Sequence, residues 1–479
     1  MIYISFRYYL FVAAMLILFY ALPLKRRWCV LLVANVVFWL VFCRTGWPFL
    51  LGTIMVSYLA AVWIDISSGV KKKVLLAGAV ILVIGIWLFL RNESFMRQAI
   101  PGAESLRLLA PLGISFYTMQ IIAYLTDVYR GDIAPQKNPA KYVLFITFFP
   151  QLLQGPIPRY RQLGEQLFCG HLFDERKFTR GFYLIIWGFF LKLVIADKAS
   201  VVVDTVFDNY PAYSGGYLWF ASILYSIQLY ADFLACTTLA QGVSFLFGIE
   251  LAGNFKRPYF AVSVKDFWQR WHISLSSWLR DYVYIPLGGN RKGKGRKYLN
   301  LAVTFLASGI WHGAGLTYLL WGGIHGCCQI MGECLDGPKE KIYARLNIRP
   351  DGKGKRIIKQ TGTFLIVSLA WVIFRAGTPG TGISMIVHMV SDFNPWIFFN
   401  DRIFTIGLSW KEMLVLLFAV LLLFAVERKQ EEGIRISECI GRQKLPVRWL
   451  VCMAGICAVM IFGTYGFGFE AQDFIYGGF

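Results

Sequence analysis

Apolar runs long enough to cross the ~30 Å hydrocarbon core of a bilayer recur from one end of the chain to the other, at residues 10–24, 28–42, 74–90, 413–426 and 449–462. They leave one fold class: an all-α, polytopic integral membrane protein. Nothing reads as a separate soluble domain, so residues 1–479 are taken as one membrane-embedded unit. Composition agrees, since 57% of the residues are hydrophobic and only 16% charged. The net charge of +20 suggests nucleic acid at first sight. Its carriers lie in loops between apolar runs, as in cytoplasmic loops of membrane proteins, so no nucleic-acid partner is expected.

The strongest basic loops are Lys71-Lys72-Lys73 and the stretches 291–297, 339–359 and 428–448, all expected on the cytoplasmic side. Lys25, Arg26 and Arg27 follow the first apolar run rather than precede it. That run therefore reads as an uncleaved span with the N-terminus outside. One span beyond the 428–448 loop puts the tail, residues 463–479, outside too. The ten cysteines show no CxxC pairing, and those within or beside apolar runs, such as Cys43 and Cys236, read as small buried hydrophobes.

After residue 90 the pattern changes. Pro111-Leu112-Gly113, Pro150-Gln151 and Gly155-Pro156-Ile157-Pro158 set helix breakers in apolar sequence. Breakers at membrane depth need protein or a water-filled cavity to satisfy the freed backbone. The middle of the chain is therefore expected to hold broken or re-entrant helices around a polar cavity. Pro286-Leu287-Gly288-Gly289 reads instead as a surface stop, because a basic turn follows it directly. No repeat relates the two halves, which weakens a transporter reading. The stretch 337–359 is the one segment whose composition suggests disorder.

Two Trp-His pairs mark the candidate site: Trp271-His272 and Trp311-His312. An ionisable group inside a membrane is a functional candidate, although a satisfied interior histidine explains either one alone. Residues 298–312 read as one helix entering from the basic turn. Asn300, Thr304, Ser308 and His312 recur along it at i+4, a polar stripe ending about 18 Å from Asn300. The stripe is either the wall of a tunnel or ordinary hydroxyl back-bonding to the i−4 carbonyl. Gly313 and Gly315 leave room for a substrate chain or another backbone. His325 either faces the same cavity or packs between helices. Upstream, Asp266 and Arg270 are spaced for an ion pair, and Trp268 and His272 for one helix face. Arg280-Asp281 reads as a second structural pair. No metal is expected, because HExxH and any i,i+4 histidine pair are lacking. A GxSxG turn is lacking as well.

At these residues the chain resembles the membrane-bound O-acyltransferase (MBOAT) family. The likeness rests on Asp266-Phe267-Trp268-Gln269-Arg270-Trp271-His272, on Ile285-Pro286-Leu287-Gly288-Gly289-Asn290-Arg291, and on Ser308-Gly309-Ile310-Trp311-His312-Gly313. Stretches 111–117, 149–157 and 232–248 extend it, giving a family core at 91–332. Within the family it is similar to the bacterial branch that acetylates alginate or D-alanylates teichoic acid. The resemblance implies a multi-helix fold with a tunnel from a cytoplasmic donor to the outer face, His312 as catalytic histidine and His272 as the second. It implies an acyl thioester donor, either acetyl-CoA or the phosphopantetheine of an acyl carrier protein, and no bound cofactor. It implies a polysaccharide acceptor and an extracytoplasmic acyltransferase partner.

One departure is visible: alginate-type members carry Gly-Tyr-Ser-Asp after the Asp-Phe pair, and this chain reads Asp232-Phe233-Leu234-Ala235-Cys236. The ending Phe474-Ile475-Tyr476-Gly477-Gly478-Phe479 resembles the aromatic tail of this branch. Tyr476 is either an acyl relay or an interfacial anchor. The basic loops suit an acidic carrier protein and anionic lipid equally. A polymer or lipid-linked transporter is the non-enzyme alternative.

Overall fold

The computed structural model describes residues 2–43, 46–91, 111, 113–152, 154–313, 315–345, 352–465 and 474–475. Among these residues all regular structure is helical, as the apolar runs require. Six segments are long and apolar enough to cross a membrane: Leu24–Cys43, Trp47–Ile66, Gly69–Arg91, Gly215–Leu246, Lys353–Arg375 and Leu445–Phe462. The protein is a multi-pass membrane protein. The contacts of its described residues divide it into two compact units, comprising 1–185 with 236–252, and 186–235 with 253–475.

The first unit contains α1 (Phe6–Ala21), α2 (Arg27–Phe38), α3 (Trp47–Ile66), α4 (Gly69–Arg91), α5 (Ile114–Arg130), α6 (Pro139–Thr147), α7 (Tyr160–Phe168) and most of α8 (Glu175–Phe189). The expected helix break occurs where α6 stops before Pro150. Its freed backbone is satisfied by side chains: Asn35 Oδ1 accepts from the Phe149 N–H at 3.0 Å, and the Tyr3 hydroxyl donates to the Pro150 carbonyl at 2.8 Å. Asn35 Nδ2 also donates to Thr147 Oγ1 at 3.0 Å. A buried asparagine of a plain apolar span is thus the clamp on a broken helix.

The second unit contains α9 (Asp197–Phe207), the first two thirds of α10 (Gly215–Leu246), α11 (Val264–Arg270), α12 (Ile273–Leu279), α13 (Gly293–His312), α14 (Leu316–Arg345), α15 (Lys353–Arg375), α16 (Pro379–Ser391), α17 (Trp410–Glu431), α18 (Ile436–Gly441) and α19 (Leu445–Phe462). A π-helical turn, Phe190–Ala196, precedes α9. In α19 Trp449 and Leu450 are 61% and 70% exposed, the surface of a helix turned to lipid.

The described residues of the stretch 337–359 are almost all helical, against its composition. α14 continues through Pro338 to Arg345, and α15 starts at Lys353. Glu340 explains part of the order. It accepts from Lys355 and Lys359 at 2.6 and 3.2 Å, and these bonds hold its carboxyl below the usual range. A depressed folded-state value stabilises above the ordinary glutamate range and is lost as pH falls through it.

Candidate active site

α11 starts on Ser263, whose hydroxyl accepts from the Asp266 N–H at 3.1 Å, and it carries the expected Asp266–Arg270 ion pair at 2.8 Å. It then ends at Arg270. The sequence spacing put Trp268 and His272 on one helix face, but His272 lies in the break before α12, in the left-handed region at φ 43° and ψ 55°. Two interactions make the break. Trp271 is drawn into an aromatic cluster with ring-centre distances of 5.1 Å to Phe255, 5.5 Å to Phe267 and 5.1 Å to Trp371. Asn254 takes the helix-start donors of α12, its carbonyl from Ile273 N–H at 2.9 Å and its Oδ1 from Ser274 N–H at 3.2 Å. A non-glycine residue held at positive φ costs about 1–3 kcal/mol, and such strain gathers at functional sites.

The structure brings His272 to the second pair. Its ring stands edge-on to Phe233 at 4.8 Å and lies 5.8 Å from Trp311. His312 is the last residue of α13, with its ring 4.8 Å from Trp311, 5.0 Å from Trp321 and 5.4 Å from Phe374. Both histidines are buried, 1% and 2% exposed. His325, fully buried, lies 5.0 Å beyond Trp321. The Trp268 indole N–H donates to its Nδ1 at 3.3 Å, which puts the proton of a neutral ring on Nε2. That bond ties α11 to α14.

The polar stripe divides. Asn300 Nδ2 donates to the Gly289 carbonyl at 2.8 Å, pinning the basic turn to α13. Half-buried Thr304 back-bonds to the Asn300 carbonyl at 2.6 Å. Ser308 is buried, and its hydroxyl has no hydrogen-bond partner among the described residues. It is the stripe residue one turn before His312. Asn300→Ala should therefore lower stability by about 1–2 kcal/mol, the loss of one buried bond with its acceptor left behind. Thermal unfolding in detergent checks this, and an unchanged melting temperature would remove the pinning role. Gly313 does leave room, but for a ring: a Cβ there would collide with Tyr318. Pro286 is an exposed turn residue, as its sequence context requires.

The charges around the pairs are structural. Glu431 of α17 accepts from Arg257 at 2.7 Å, Arg270 at 3.0 Å and Arg356 at 3.5 Å. Arg280 pairs with the adjacent Asp281 at 2.8 Å. Sequence reasoning missed one cluster. Lys192 bonds both Asp197 and Asp232 at 2.8 Å, all three deeply buried. The signal was present, since Lys192 interrupts the run Phe189-Phe190-Leu191 and Leu193-Val194-Ile195. Tyr476, the suggested relay, lies outside the described residues.

Residues 136–335, which contain both Trp-His pairs and the Lys192 cluster, match the membrane-bound O-acyltransferase family. The probable alginate O-acetylase AlgI of Pseudomonas putida is 34% identical over 386 residues, covering 77% of this chain and 76% of that protein. The chain belongs to the membrane-bound O-acyltransferase family. Its counterpart in Pseudomonas fluorescens, also a probable alginate O-acetylase AlgI, is 41% identical over 268 residues. That match takes in 56% of this chain and spans about half, 52%, of the relative's length. A peptidoglycan O-acetyltransferase of Helicobacter pylori is 33% identical over 377 residues, 72% of this chain and 70% of that protein. Within this MBOAT chain the matched family segment contains all of α9–α13 and stops ten residues short of the end of α14, and the aromatic tail falls beyond it.

Proposed function

We propose that this MBOAT protein moves an acyl group, acetyl by preference, from a cytoplasmic thioester across the membrane for O-acylation of a cell-surface or secreted polysaccharide. The observation that carries the reading is the setting of His312: buried, ringed by Trp311, Trp321 and Phe374, at the far end of a helix that begins in a basic turn. α13 has 20 residues, so His312 lies about 30 Å along the axis from that turn. Aromatic surroundings that exclude water suit transfer to a hydroxyl rather than hydrolysis.

In the reaction proposed, His312 takes the proton of the attacking hydroxyl as its oxygen bonds the thioester carbonyl carbon. The carbon–sulfur bond then breaks, and the thiolate recovers that proton from the imidazolium. His272 stabilises the developing oxyanion, a term worth more in a water-poor site than in bulk. Tyr476 is the first acceptor, and an extracytoplasmic transferase carries the acyl group onward to the polymer. Acetyl-CoA or an acyl carrier protein is the donor.

Mass spectrometry of the C-terminal peptide from the native membrane protein tests the relay. An acetyl increment on Tyr476, absent from a Tyr476→Phe variant that leaves the polymer unmodified, is the expected result. A D-alanyl increment would change the acyl group and keep the reaction. Full polymer acylation by Tyr476→Phe would remove the relay step.

A further inference from the structure

The buried Lys192 cluster does more than balance charge. Lys192 extends from the π-helical turn 190–196, Asp197 opens α9, and Asp232 lies at the middle of the 32-residue α10. One ammonium faces two carboxylates, so the group carries an excess acceptor in a region without solvent, where uncompensated charge is costly. The C-terminal tail meets that need at Asp232. The Ile475 N–H donates to Asp232 Oδ2 at 2.7 Å, the oxygen that Lys192 does not use. The Phe474 ring, 8% exposed, presents its face to Lys192 Nζ at 4.6 Å.

The start of the tail is held by the same turn. A π-helical turn shifts its carbonyls off the regular ladder. The Leu193 carbonyl accepts from the Thr464 N–H at 2.9 Å, just past the end of α19. Thr464 and Ile475 therefore both bond to the neighbourhood of Lys192. The next residue on α10 is Phe233, whose ring packs on His272. One helix turn thus touches both the tail and the second active-site histidine.

We propose that Lys192, Asp197 and Asp232 are a latch that holds the C-terminal tail through Phe474 and Ile475 and so positions Tyr476 for acyl transfer. The positioning half rests on the function proposed above; the latch itself does not. Lys192, Asp197 and Asp232 are positioning residues, acting through the tail.

Hydrogen–deuterium exchange of the full chain in nanodiscs reads the latch without acyl chemistry. Asp232→Ala leaves Lys192 paired one-to-one with Asp197, and Phe474→Ala leaves the whole ion cluster in place, so neither strands a buried charge. In both variants the C-terminal peptide should exchange at least about tenfold faster, with peptides of α13 and α14 unchanged. Phe474→Tyr, which restores a ring over Lys192, should recover the protection. Wild-type exchange of the tail in both variants would overturn the latch. Measured together, Tyr476 acylation should fall in step with lost protection. An open tail with undiminished polymer acylation would overturn the positioning half, whereas loss of acylation with a closed tail would overturn the latch and leave the acyltransferase reading intact.

Discussion

Cells carrying His312→Ala should lose ester-linked acyl groups from their surface polymer by about 10²–10⁴-fold, the range for removing a general base. The ring of His312 sits among Trp311, Trp321 and Phe374, so alanine also leaves a gap. His312→Gln separates the two effects, because glutamine fills much of the gap and cannot take the proton. Both variants should lose transfer, and the glutamine variant should melt closer to wild type. Polymer should still be exported, unmodified. Export lost along with acylation would favour a transporter, and acylation retained by either variant would end the assignment of His312 as base.

The same reasoning explains what could be read in advance. The runs of apolar residues settled the helical membrane class because lipid leaves the backbone so few options. The end of α13 at His312 followed from the glycine behind it. The break between α11 and α12 was hidden, since spacing within 266–272 fits a continuous helix. It forms because Asn254, twelve residues before Asp266, supplies the acceptors and a distant Trp371 draws Trp271 inward. Tertiary partners of this kind leave no local periodic mark. The helical ends of the stretch 337–359 escaped for a similar reason: Glu340 and Lys355 lie in separate parts of a polar stretch that composition alone cannot pair. Asp232 was visible as a residue, but its partners Lys192 and Ile475 come from other parts of the chain.

The second large effect should come from Gly322→Ala, through the packing of α13 against α14. Two glycines set that crossing. A Cβ on Gly322 would collide with the Phe305 carbonyl, and one on Gly309 with the Tyr318 carbonyl. These are backbone atoms within helices, so they cannot swing aside as a flexible side chain would. Small residues at such a crossing allow two membrane helices their closest approach. Adding a methyl must push α14 away from α13, and His312 and His325 ride on the two helices being separated. The expected cost is about 1–3 kcal/mol, typical of an overpacked core, with a matching loss of transfer. Gly323→Ala is the control one residue on. Nothing lies within 4 Å of its added carbon, and exchange of glycine for alanine inside a helix is worth up to about 1 kcal/mol in its favour. Melting curves in detergent should therefore move in opposite directions for neighbouring, chemically identical substitutions. A Gly322→Ala protein as stable and active as Gly323→Ala would mean that the α13–α14 crossing has slack, and with it the placement of His312.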